Sequence, residues 1–97
     1  MRVPTGRVER RVAKAESVEL LHEDVSPAAK VEAVTENVSP QGARLITGSL
    51  CPPGRLVRLV APAEHLRLPA RVVYCQRLLD GKFAVGLQLQ TRVEKWH

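Results

Sequence analysis

Aromatic side chains are scarce in this sequence: Tyr74, Phe83 and Trp96 make up 3% of its 97 residues. A core built on rings is excluded, so the apolar 44% must do its packing through Val, Leu, Ile and Ala. The same scarcity argues against a small barrel that binds nucleic acid, because such barrels stack successive bases on aromatic platforms. Cysteine is limited to Cys51 and Cys75, with no Cys-x-x-Cys, while His22, His65 and His97 are scattered. That pattern predicts neither a disulfide framework nor a metal site, and it fits reduced thiols in a cytoplasmic protein. With no nucleophile–base pair and no phosphate-cradling glycine loop, no enzyme and no cofactor are expected. No apolar run approaches the ~20 residues of a membrane span. The start, MRVPTGRVERR, has no hydrophobic segment behind its charges, which predicts no secretory leader.

What is abundant is arginine. The net charge is +5, and eleven of the fifteen basic residues are arginine. A guanidinium offers planar, bidentate donors that match phosphates and base edges, so an anionic, nucleotide-like partner is one reading. A solvated basic surface is the other. Residues 1–16 are polar and basic with little periodicity, and read as a flexible basic arm. Residues 17–97 read as the folded domain, a length that suits a single modest core.

From Ser17 onward the texture is short β-type runs between turn residues. Strands are predicted at 17–21, 30–36, 43–47, 55–61, 66–79 and 83–90, with Pro69 marking an edge or a bend. Asp24, Ser26 and Pro27 favour a turn, CPPG (51–54) is another, and Asp80-Gly81 is a strong hairpin signal. The tail TRVEKWH has room for at most a short helix capped by Thr91. Six antiparallel strands with short turns leave open edges unless the sheet closes, so an all-β, six-stranded antiparallel barrel is expected.

Two stretches nearly repeat each other: HEDVSPAAKVEAV (22–34) and TENVSPQGARLIT (35–47). Both are read as turns with similar chemistry, but only the second has a glycine, Gly42, three residues after its serine. Asn37 and Ser39 both donate and accept hydrogen bonds, and on extended backbone they face the same way. Gly42 beside them either supplies a positive φ or lets a ligand approach the main chain. The stretch is thus either a polar binding ledge or an Asx-type turn with Gly42 present for its dihedral. Upstream, Arg7 and Arg11 flank Val-Glu-Arg in RVERR, as guanine or phosphate grips or as a solvated arm.

In combination these motifs resemble the PilZ domains, bacterial receptors for cyclic di-GMP. The family's pattern is Arg-x-x-x-Arg, then a spacer, then Asp/Asn-x-Ser-x-x-Gly opening a strand of a six-stranded barrel. Here Arg7 to Arg11 is followed by twenty-five residues and then by Asn37-Val-Ser39-Pro-Gln-Gly42. PPGRLVRLVAP and FAVGLQL are similar to the family's later strands. The resemblance implies that Arg7 and Arg11 engage guanine edges and phosphates, and that Asn37 and Ser39 hold a guanine from the barrel. It also implies that Gly42 keeps the approach clear; Arg10 is a further, optional phosphate contact. Asp24-x-Ser26 ends at Ala29 and lies too close to Arg11 for the pattern, so it is read as a plain turn. The function implied is a cytoplasmic cyclic di-GMP receptor whose arm orders on binding and signals by conformational change, through a downstream protein the sequence does not name. Two departures stand out: Glu9 between the arginines, and a tail short for a family that often continues into a longer helix. The rival readings are a PilZ-like adaptor that contacts a protein with little nucleotide binding, and a nucleic-acid-binding barrel.

Overall fold

Strands that alternate small aliphatic residues with polar ones can bury one face only, and this chain buries it by closing the sheet on itself. The computed structural model describes residues 11–22 and 29–96. Its strands are β1 (Val12–Ala13), β2 (Ser17–His22), β3 (Ala29–Ser39), β4 (Gly42–Thr47), β5 (Leu56–Ala61), β6 (Leu66–Arg77) and β7 (Phe83–Leu89), with a 3-10 turn at Pro62–Glu64. All pairings are antiparallel, in the order β3-β2-β5-β6-β7-β4, and β4 pairs back onto β3 to close a six-stranded barrel. The short β1 lies along β3, with Val12 opposite Val38 and Ala13 opposite Asn37.

The core is aliphatic, as the lack of rings requires. Leu20, Leu45, Leu59, Val38, Val72 and Val85 are its largest fully buried side chains, while Phe83 and Trp96 only pack against its rim. Ile46, the one isoleucine, points outward and takes no part. Thr35 and Thr47 are buried, but their hydroxyls are satisfied. Thr47 donates to the Glu32 carbonyl at 2.9 Å, and Thr35 donates to the Lys14 carbonyl and accepts from the Glu16 N–H. Thr35 thereby pins residues 14–16, which lead from β1 into β2. A second anchor is Lys14, whose Nζ reaches Glu16 at 3.3 Å and the buried Glu64 at 3.4 Å. Burial, and then the neighbouring Glu64, push the Glu16 carboxyl above its ordinary pKa, against the pull of Lys14.

Two local expectations change and one holds. The second near-repeat is not a turn over most of its length: Asn37, Val38 and Ser39 continue β3, and only Pro40–Gln41 turn the chain. Pro69 lies inside β6 opposite Arg58 and marks an edge as expected, because β6 pairs with β7 only from Ala70 onward and residues 66–69 have β5 alone as their registered neighbour. Its carbonyl accepts from the Gln90 N–H at 3.0 Å, just past the last registered pair of β6 and β7 (Ala70 with Leu89). A missing N–H there forfeits no ladder bond. The tail forms no helix among the described residues; Val93 and Trp96 dock it on the barrel in irregular conformation. The first near-repeat, with Asp24 and Ser26, lies outside the described residues; its Ala29 opens β3 opposite His22.

Candidate functional site

Two β-bulges build the site. Along β3, Ala33 and Thr35 point into the barrel, and strict alternation would send Asn37 after them. The register shifts between Thr35 and Asn37, so Glu36 is an extra residue and the phase reverses. Val38 now fills the core, and Asn37 and Ser39 face outward. β6 does the same: Leu68, Ala70 and Val72 are buried, the register shifts around Val73, and Tyr74 emerges 38% exposed. The regular strands β4 and β7 lie between the two bulged ones. Two cross-strand rows result on the outer wall: Asn37–Arg44–Gly86–Tyr74, and Ser39–Gly42–Gln88–Arg71.

Both glycines in these rows are there for space. Neither has a positive φ, so the dihedral explanation of Gly42 falls away. A Cβ on Gly42 would sit 3.1 Å from the Leu87 carbonyl oxygen, 3.4 Å from Arg11 Nη2 and 3.6 Å from Ser39 Oγ. A Cβ on Gly86 would sit 2.1 Å from a carbon of the Tyr74 ring. The ring therefore lies flat against the β7 backbone, in the gap that glycine leaves. Arg44 braces it, donating to the Tyr74 hydroxyl at 2.9 Å with its Cζ 5.8 Å from the ring centroid. The same guanidinium bonds Glu36, and Tyr74 first and Glu36 second hold it charged more firmly still.

Arg11 completes the arrangement. The pairing of β1 with β3 brings the chain in beside Asn37, and Arg11 Nη1 donates to Asn37 Oδ1. Its other nitrogen lies over Gly42, so the guanidinium spans the ledge from the amide to the glycine. Beside it opens a cavity of about 300 Å³, lined by Arg11, Ser39, Gln41, Gly42, Tyr74 and Gln88 among others. That volume is at the lower end for small-molecule clefts. It is open to solvent, carries cationic and neutral hydrogen-bonding groups, and offers one ring face. A larger cavity of about 480 Å³ lies elsewhere, between Glu19, Glu32 and Ile46. Its lining sets Glu19 and Glu32, directly opposite each other across β2 and β3, against Lys82, with Glu19 also paired to Lys30 at 3.5 Å. It favours an anion less than the Arg11 cavity does, so the smaller cavity is the better candidate.

The structure thus brings together Arg11, Asn37, Ser39 and Gly42, four of the six residues selected from sequence. Arg7 and Arg10 lie outside the described residues. Sequence reasoning missed Tyr74, Gly86, Arg44 and Gln88. A glycine within the FAVGLQL strand was a usable sign of close approach, but nothing local marks the bulge that turns Tyr74 outward. Among the described residues no group of three metal-ligating side chains occurs. Cys51 and Cys75 are free thiols that have come together, the Cys51 N–H lying 3.5 Å from Cys75 Sγ, and burial pushes the Cys51 thiol pKa up. No helix among the described residues is long and apolar enough to cross a membrane.

Comparison with the curated proteins finds no match. The family model described as the PilZ domain matches residues 6–95, nearly the whole chain. A closed six-stranded barrel that brings Arg11 beside the Asn-x-Ser-x-x-Gly motif agrees with that match, and the chain belongs to the PilZ domain family.

Proposed function

We propose that this PilZ domain is a receptor for cyclic di-GMP, which it binds on the ledge formed by Arg11, Asn37, Ser39 and Gly42. The observation that carries the reading is that Arg11, 26 residues upstream, bonds Asn37 and overhangs Gly42 beside an open cavity lined by Arg11, Ser39, Gly42 and the Tyr74 ring. Cyclic di-GMP carries two phosphate charges and two guanines, and each part has a partner here. Arg11 exchanges its bond to Asn37 for a guanine O6/N7 edge or a phosphate. The freed Asn37 amide and the Ser39 hydroxyl then meet a guanine edge with donors and acceptors together. The Tyr74 ring gives a base a stacking face. Arg7, and less directly Arg10, come in with the arm and add charge-assisted bonds. Each such bond contributes about 1.5–3 kcal/mol net, and a micromolar complex requires about 8 kcal/mol. Several of them together with stacking reach that figure after the arm's ordering cost. Closure of the arm over the ligand is the signal, passed to a protein partner.

The adaptor reading would be favoured by motif arginines paired with acids of the barrel. Arg11 is instead bonded to a neutral amide, a contact it can trade for ligand. A ledge without a nucleophile–base pair suits binding rather than catalysis, in keeping with a family of binding domains. The test is calorimetric titration with cyclic di-GMP, GMP and GTP, on the wild type and Arg7→Ala and Arg11→Ala variants. Saturable binding of cyclic di-GMP alone is expected, with a loss of about tenfold or more in each variant and an unchanged melting temperature. Equal heats for the three nucleotides would refute the assignment.

A further inference from the structure

The turn that carries the ledge is strapped from behind. Its three carbonyls, Ser39, Pro40 and Gln41, are taken in reverse order by the chain leaving β7. The Leu89 N–H donates to Gln41 at 2.9 Å, the Val93 N–H to Pro40 at 2.7 Å, and the Trp96 indole N–H to Ser39 at 2.8 Å. Val93 is only 6% exposed and anchors the strap in the core. On its other side the same turn presents Ser39, Gln41 and Gly42 to the cavity. The hydroxyl aimed at the ligand and the carbonyl held by Trp96 therefore belong to one residue. A backbone rotation that releases the carbonyl also re-aims the hydroxyl, because both ride on the same two soft dihedrals.

We infer that Trp96 is a positioning residue for the ligand ledge, its indole N–H holding the Ser39 carbonyl so that Ser39 and Gly42 keep their aim into the cavity. The inference rests on the receptor reading given above. Coupling of this kind is reciprocal: whatever steadies Ser39 from the front also tightens its hold on Trp96 behind. The strap borders the arm as well. A groove of about 400 Å³ lies between Trp96 and the stretch formed by β1 and Lys14, which follows Arg11 directly. Movement of Arg11 onto a ligand thus alters the surroundings of Trp96 from two directions. Trp96 is the only tryptophan of the chain, so its emission reports the strap alone.

The experiment is calorimetric titration of wild type, Trp96→Phe and Trp96→Ala with cyclic di-GMP, together with selectively excited tryptophan emission of the wild type during the same titration. The emission should shift and saturate at the calorimetric midpoint. Trp96→Phe keeps a ring but has no N–H, and should lose about three- to tenfold in affinity, the worth of one neutral hydrogen bond. Trp96→Ala should lose more, and if it fails to fold, the phenylalanine variant and the wild-type emission still decide. A merely structural role would lower the melting temperature of the variants but leave the affinity of the folded protein unchanged. Wild-type affinity in Trp96→Phe, or emission indifferent to saturating ligand, overturns the inference and leaves the receptor reading standing. Absence of binding by the wild type overturns both.

Discussion

The β2–β5 side of the barrel and the β3–β4–β7–β6 side are made from similar sequence but do different work. In β2 and β5 the alternation never breaks: Val18 and Leu20, Val57 and Leu59 all point inward, and the outward positions meet solvent. Such strands stabilise the barrel and present nothing organised. In β3 and β6 one extra residue reverses the phase halfway along. The first half of each strand serves the core on the same terms as β2. Beyond the bulge, the parity that had sent Thr35 and Val72 into the core turns Asn37, Ser39 and Tyr74 toward the outer wall, although Ser39 stays buried there. A bulge is therefore an inexpensive way to place a polar ledge on a strand that must also fill a core, since only one residue leaves the ladder.

Substitutions on the two sides should separate stability from binding. The largest effect is expected on the regular side: Leu59→Ala empties a fully buried position in β5 and should cost about 2–5 kcal/mol. Chemical denaturation measures it, and calorimetry on the remaining folded protein should find nucleotide affinity unchanged. Reduced affinity without reduced stability would mean that the two sides are not separable. A smaller cost with a sharper functional consequence is expected of Gly86→Ala on the bulged side. The new methyl would fall 2.1 Å from a Tyr74 ring carbon, far inside van der Waals contact, and must displace the ring, at about 1–3 kcal/mol by the usual cost of overpacking. Loss of the ring's stacking position should lower affinity for cyclic di-GMP about tenfold, and retained affinity would remove Tyr74 from the site.

The smallest effect concerns the link between the sides, residues 14–16. Glu16 has a pKa raised above the ordinary carboxylate value, by burial first and by Glu64 second. Between the ordinary value and the raised one, the folded protein holds protons that the unfolded chain has released. This contribution is complete below the ordinary pKa, and stability should fall as pH rises through the raised one. Glu16→Gln should flatten the dependence in that window, as read from melting temperature against pH. An unaltered profile would assign the dependence to another group.

Most of the fold was legible because burial imposes a period of two. The runs at 17–21, 55–61 and 83–90 correspond within a residue to β2, β5 and β7. Arg11, Asn37, Ser39 and Gly42 were legible for a different reason: their chemistry and order are distinctive wherever they fall in space. The end of β3 was misread, since Asp/Asn, Ser and Pro favour turns locally, and here the ladder with β4 overrides that preference. Thr91 suggested a helix cap, but the last residues spend their donors on the carbonyls of a distant turn and have no need of a helix.

The sequence by itself determined the aliphatic core, the six strands of the barrel but not the short β1, the closure of the sheet and the set of polar groups on offer. Those follow from side-chain period, turn residues and charge, which are properties of short segments. Only the tertiary structure decided which way each polar group faces, that Tyr74 lies against Gly86, and that Trp96 reaches Ser39. A strand's parity past a bulge depends on the register its neighbours enforce, and a contact fifty-seven residues apart depends on the whole barrel closing.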